Sequence, residues 1–105
     1  MKLLTKEIIS KLPKLYSQEK VKDPICSLKF FTPDSSFTWY IIEGEYRGEG
    51  EEKDFLMFGK VISHLCPDGE LGYVSFNEIS QVKGPFGLGV ERDKWWKPQP
   101  LSQCK

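Results

Sequence analysis

The 105-residue chain is expected to fold as an α+β domain, with an N-terminal helix packed on an antiparallel sheet of about four to five strands and a short second helix. Three observations point there. Residues 28–46, LKFFTPDSSFTWYIIEGEY, place aromatic and β-branched runs on either side of a turn-forming cluster, the pattern of a hairpin. A second pair of apolar runs flanks Pro67-Asp68-Gly69, a strong turn signal. Near the start, Ile8, Ile9, Leu12 and Leu15 mark one face at helical spacing.

In chain order, Thr5 is placed to cap the first helix, and Glu7 lies in its first turn, where the helix dipole favours an acid. Pro13 cannot donate a backbone hydrogen bond, so the helix should end near Lys11 or Leu12. Residues 17–24 form a polar linker. The first strand is expected from Ile25 to Thr32, with Cys26, Leu28 and Phe30 on one face and Ser27, Lys29 and Phe31 on the other. After the TPDSS turn, a second strand runs from Phe37 to Glu45. Its two faces, Phe37/Trp39/Ile41 and Thr38/Tyr40/Ile42, both carry large side chains, so it should be central and covered on at least one side.

Glu43 to Asp54 has the composition of an acidic loop punctuated by Gly44, Gly48 and Gly50. Phe55 to Ser63 is nearly continuously apolar and therefore a buried strand, in which Gly59 marks a bulge or a close approach. Pro67-Asp68-Gly69 is expected to turn the chain into a fourth strand, Leu71 to Phe76. Ser75 and Glu78 have the spacing of a capping box, opening a short helix that runs to about Val82 and stops at Gly84. A glycine-rich connector, 84–89, a charged triplet, a tryptophan pair and an extended tail with a mobile end complete the chain.

Size and composition fit one domain over residues 1–105. Fifteen basic residues balance fifteen acidic ones, which removes the simplest argument for nucleic-acid binding, a strongly basic chain. The balance is uneven along the chain. Residues 1–29 hold seven lysines against three acids, and residues 34–54 hold seven acids against Arg47 and Lys53. Three cysteines without CxxC spacing, no signal-peptide pattern and no long apolar run point to free thiols, a cytoplasmic location and no membrane span.

No motif assembles a catalytic centre. His64 and Cys66, with Asp68 and Glu70, offer too few ligand types for zinc, and nothing identifies an oxyanion hole for a Cys–His nucleophile. GPFGLG lacks the Gly-Lys-Ser/Thr of a P-loop, and its spacing is not that of a dinucleotide fingerprint. No metal or cofactor is expected. The residues singled out for binding are Glu49, Glu51 and Glu52, which could imitate a phosphate track, and Glu91, Arg92, Asp93, Trp95 and Trp96, which could form a polar site flanked by stacking rings. Asp34, Glu43, Glu91 and Asp93 are the conceivable carboxylates of a metal-dependent nuclease.

Several blocks are distinctive: LLTKEI near the start, DPI and KFFTPDSSFTWY, DFLMFG, ELGY, GPFGLGVERD and the closing KP-x-PL. Through them the chain resembles domain-of-unknown-function family 2958, small proteins of bacteria, phages and integrated mobile elements, over Leu3 to Leu101. The resemblance implies a compact single domain and an accessory role in mobile-element or phage biology. The expected function is a non-catalytic protein-binding module whose partner is a host or element-encoded protein, with inhibition of a host defence or nucleic-acid-processing enzyme as one form. The alternatives are a nucleic-acid binder using the N-terminal lysines and a small metal-dependent hydrolase or nuclease.

Overall fold

A computed structural model describes residues 3–104. The architecture is α+β, with a five-stranded antiparallel sheet, a separate two-stranded ribbon and two small helices. Helix α1, Lys6–Lys11, starts at Thr5, whose side-chain oxygen accepts from the Ile8 amide at 3.2 Å, and stops before Pro13 as expected. The expectation that it packs on the sheet holds only at the margin. It has six residues and none is fully buried; Ile8 and Ile9 are half-buried at the margin of the core, and Leu12, just beyond its end, is the buried one. Pro13 truncates the helix before a longer apolar stripe can form.

The strands are β1 (Ile25–Cys26), β2 (Leu28–Phe31), β3 (Thr38–Arg47), β4 (Asp54–Ser63), β5 (Cys66–Ser75), β6 (Glu91–Arg92) and β7 (Gln99–Pro100). Helix α2, Phe76–Ile79, lies between β5 and β6, opened by Ser75, whose hydroxyl accepts from the Glu78 amide at 3.2 Å. It is shorter than the span to Val82 suggested by its capping box. The main sheet has the order β5-β4-β3-β2-β6, so β3 is central, and β1 pairs with β7.

Both faces of β3 are buried. On the first, Trp39 and Ile41 join Leu28, Phe30, Phe55, Met57, Val74 and Ile79 in the main core. On the second, Tyr40 and Ile42 meet Cys26, Leu101 and Cys104. Strict alternation would put Cys26 on one face with Leu28 and Phe30, and the structure does not. The strand breaks at Ser27, whose amide donates to Ile41, and Cys26 turns to the opposite cluster.

Three loop expectations also change. Residues 43–54 are not a loop throughout: Glu43 to Arg47 continue β3, Asp54 begins β4, and only a compact turn with a 3-10 helix at Gly50–Glu52 joins them. Gly48 and Gly50 both have positive φ, 82° and 58°, and the Glu52 and Lys53 amides close the turn on Glu49 and Gly50. Those glycines permit a tight reversal rather than looseness. The β4–β5 reversal falls at residues 64–65, because Ser63 already pairs with Cys66; Pro67-Asp68-Gly69 is instead extra backbone bulged opposite Ile62. Finally, the tail is docked. Leu101 donates to the Pro24 carbonyl at 2.9 Å, and Leu101 and Cys104 are buried.

Gly59 is not itself a bulge. The register slips on the facing strand, where Ile41 pairs with Gly59 and Glu43 with Phe58, leaving Ile42 as the extra residue. A Cβ at Gly59 would lie 2.0 Å from the Tyr40 carbonyl oxygen, whereas one at Gly72, its partner on β5, would meet nothing within 4 Å. Gly59→Ala is therefore expected to lower stability by about 3 kcal/mol, and Gly72→Ala to change it by no more than about 0.5 kcal/mol. Urea unfolding midpoints of the two variants check this contrast.

Candidate functional site: an aromatic groove beside a free sheet edge

The bulge at Ile42 re-aims the rest of β3. Without an extra residue, alternation would send Glu43 to the same face as Ile41; with it, Glu43 joins Ile42 on the second face. There it is 4% exposed, a burial that a carboxylate tolerates only with strong partners. The partners are backbone amides of the segment after α1. Glu43 Oε1 accepts from the Tyr16 amide at 3.0 Å and Oε2 from the Gln18 amide at 2.6 Å, while Glu45 Oε1 accepts from the Leu15 amide at 3.0 Å. Two acids of one strand thus clamp a single turn, and Pro13 is tied to the same strand through the Gly44 amide, 2.9 Å from its carbonyl.

The clamped turn is strained. Tyr16 has φ 71°, the one positive value outside glycine among the described residues. Strain of this kind persists where surrounding contacts over-determine it, and it concentrates at functional sites. Its consequence here is that the Tyr16 ring stands out over the sheet, half exposed, edge-on to Tyr73 with centroids 6.3 Å apart. Arg47 lies over the Tyr16 ring at 5.9 Å. Tyr73 shares a hydroxyl hydrogen bond with Tyr16, which pushes the Tyr73 phenol above its ordinary range.

Between this turn and the sheet runs a groove of about 340 Å³. Ile42, Phe58 and Leu101 supply its apolar floor, and Leu71 and Tyr73 of β5 form its outer wall. Strand alternation explains the wall: Leu71 and Tyr73 point to the groove side, while Val74 between Tyr73 and Ser75 points into the main core. β5 pairs with β4 alone and is an edge of the sheet. The far end is closed by the tail, where the Ser102 amide and hydroxyl donate to the two Asp23 oxygens at 3.0 and 2.7 Å.

The residues singled out from the sequence fall elsewhere and in two places: Glu91, Arg92, Asp93 and Trp95 line one cleft of about 240 Å³, and Glu49, Glu51 and Glu52 lie apart from it. Glu49, Glu51 and Glu52 are exposed around the β3–β4 turn. Of the other acids in that region, Glu43 and Glu45 are engaged by the amides of the turn after α1, and Asp54 accepts from the Asn77 amide at 2.9 Å and from the Ser75 hydroxyl. Glu91 is exposed on β6, whereas Asp93 pairs with Lys29 at 3.8 Å and accepts from the Trp95 amide. The two tryptophans separate. Trp95 is 88% exposed; Trp96 is half-buried, donates its indole N–H to the Cys26 carbonyl at 3.1 Å, and packs against Tyr40 at 5.5 Å. Lys29 lies over the Trp96 ring at 5.4 Å.

The glycine-rich connector does cradle an anion, though one of the chain's own. Asp34 Oδ2 accepts from the Phe86 amide at 2.8 Å and the Leu88 amide at 3.4 Å, and a Cβ at Gly84 would fall 1.7 Å from Oδ1. Of the conceivable nuclease carboxylates, Glu91 and Asp93 line one cleft, whereas Asp34 is held by the connector and Glu43 by the turn after α1. Among the described residues no three His, Cys, Asp or Glu side chains are grouped to hold a metal ion. His64 is exposed, with Nδ1 2.6 Å from the Ser36 hydroxyl.

The family model described as protein of unknown function (DUF2958) matches residues 3–104. The chain belongs to this family. No curated protein and no solved structure matches it. Nor does any helix among the described residues reach the length and apolarity needed to cross a membrane.

Tyr16, Leu71 and Tyr73 are not singled out by the sequence, which offers Glu43 only as a conceivable metal-binding carboxylate, not as the clamp on the turn after α1. One signal was present: an acid inside an otherwise apolar strand must find donors if it is buried. Two measurements probe this face. The Ser102 bonds hold Asp23 below the ordinary carboxylate value of 3.8. A carboxyl held low contributes its stabilisation above the unfolded-state value and loses it as pH falls through the folded-state value. Ser102 amide protection is thus expected to persist down to pH 3.8 and to fall only below it, as exchange against pH would show. Second, burial pushes the Cys26 thiol up to about 12 and also raises Cys104. Alkylation of the native protein near about pH 8 is expected to label Cys66 and spare the two buried thiols until unfolding, read by intact mass.

Proposed function

We propose that this protein is a non-catalytic binding module whose groove receives an extended segment of a partner protein, added as a strand along β5. The observation that carries this reading is the junction of a free sheet edge with an aromatic-walled groove. Strand addition draws affinity from main-chain hydrogen bonds and specificity from pockets that take alternate side chains. From Glu70 to Ser75 the β5 edge carries no lysine or proline, two of the devices that ordinarily blunt such edges. Leu71 and Tyr73, 56% and 53% exposed, stand where alternate side chains of an added strand would meet them. The bulge at residues 67–69 limits the open edge to its second half.

The partner is another protein, of host or element origin in keeping with the family resemblance, and the location is cytoplasmic. Inhibition of a defence or nucleic-acid-processing enzyme is the form of this function that the exposed Glu49, Glu51 and Glu52 would serve, because the 3-10 turn presents them together. The balanced net charge weighs against a nucleic-acid partner, and the dispersal of the carboxylates weighs against a metal-dependent nuclease.

The test is selection of peptides from a displayed library, followed by titration against the protein and against Leu71→Lys and Tyr73→Lys. Both positions are exposed, so folding should survive. Selected peptides are expected to lose on the order of tenfold affinity or more for each variant, and to protect β5 amides from exchange. Undiminished binding to both variants would refute the assignment of the groove.

A further inference from the structure

A second cleft, of about 380 Å³, opens on the opposite edge of the sheet, between the start of α1 and the β6 strand. Its polar lining comes from Thr5, Glu7, Ser27, Arg92, Asp93 and Lys94, with Trp96 beside them. Arg92 pairs in register with Phe30 of β2, so its side chain leaves the sheet on the main-core side and its head is drawn inward. Its Nη1 is buried and has no hydrogen-bond partner in the protein. A buried guanidinium N–H without an acceptor is a costly arrangement, more so for a charged group than for a neutral one.

The acids nearby do not relieve it. Asp93 is held by Lys29 and by the Trp95 amide. Glu7, which also lines the cleft, is paired with Lys11 at 3.0 Å. Glu91 is exposed and, one residue along the strand, emerges on the other face of the sheet. Arg92 forms no ion pair among the described residues, and Lys94 adds a second cation to the rim. Thr5 and Ser27 add hydroxyls to a lining that also holds the engaged Glu7 and Asp93 carboxylates; the Thr5 oxygen already accepts from the Ile8 amide, which leaves its proton free to donate.

We propose that this cleft is an oxyanion-binding site in which Arg92 anchors the carboxylate or phosphate group of a small acidic ligand. The guanidinium fork matches the planar oxygen pair of either group. Lys94 and the two hydroxyls hold the remaining oxygens, and the Trp96 ring borders the ligand body. The site is separate from the β5 groove and does not depend on it.

Two probes, inorganic phosphate and citrate, titrated against chloride at matched ionic strength, distinguish the phosphate from the carboxylate form. In the wild-type chain, the Arg92 side-chain N–H resonance and the Thr5 and Ser27 amides are expected to shift saturably with at least one probe. Arg92→Met keeps the apolar stem and removes the orphaned donor, so it should fold. It is expected to weaken binding by on the order of tenfold or more, and Arg92→Lys, which keeps the charge but lacks the fork, by less. The phosphate-dependent or citrate-dependent rise in melting temperature should vanish in Arg92→Met. Absence of saturable shifts with both probes, shifts confined to lysines elsewhere, or equal affinity in Arg92→Met would each overturn the proposal. If Arg92→Met does not fold, the wild-type resonance titration and Arg92→Lys decide alone.

Discussion

A buried carboxylate with three short backbone partners between it and its neighbour acid organises the second face of this protein. Glu43 can occupy that position only because Ile42 is an extra residue in β3, and Ile42 can bulge only because Gly59 lets the two strands touch. Once Glu43 is buried, its oxygens require donors, and the nearest ones are the amides of the turn after α1. The turn is then drawn down onto the sheet, Tyr16 is forced into a left-handed conformation, and its ring becomes the lip of the groove. A chain of local necessities, each small, places one aromatic ring where a partner would meet it.

The two faces of the sheet are built for different ends. The first is an apolar core closed by Leu12, Ile79 and Val90, with α1 at its margin. The second is thinner and assembled from sequence-distant pieces: the 14–24 segment, the docked tail and Trp96. A thin, polar-tethered layer opens more readily than a dense core, as the proposed addition of a partner strand would require. The charged corner around Arg92 lies at the opposite edge, so the sheet carries an apolar groove at one side and a mixed-charge cleft, with Arg92 and Lys94 beside Glu7 and Asp93, at the other.

Much of the fold was legible in the residues. The α1 cap and its stop at Pro13, the central strand covered on at least one face, and the Ser75–Glu78 cap all rest on local chemistry that survives in the structure. What failed was long-range. Pro67-Asp68-Gly69 has turn composition, yet pairing of Ser63 with Cys66 had already closed the hairpin, and the motif became a bulge. Glu43 and Asp54 looked like loop acids because their partners, the amides near Tyr16 and at Asn77, lie 27 and 23 residues away in sequence. The candidate site was illegible for the same reason: its wall comes from alternation on an edge strand, and edge position is a property of the sheet order, not of ELGY itself. The grouping of Trp95 with Trp96 also had no way to show that one ring is structural and its neighbour free.

The central claim is that the Glu43 carboxylate builds the groove rather than simply stabilising the core. Native-state amide exchange on the wild type and on Glu43→Ala tests it most directly. The account predicts that the Tyr16 and Gln18 amides lose protection by on the order of tenfold or more in the variant, while the Ile41 and Met57 amides of the main core retain theirs. Unchanged protection at Tyr16 and Gln18, or a uniform loss across the whole sheet, would contradict it.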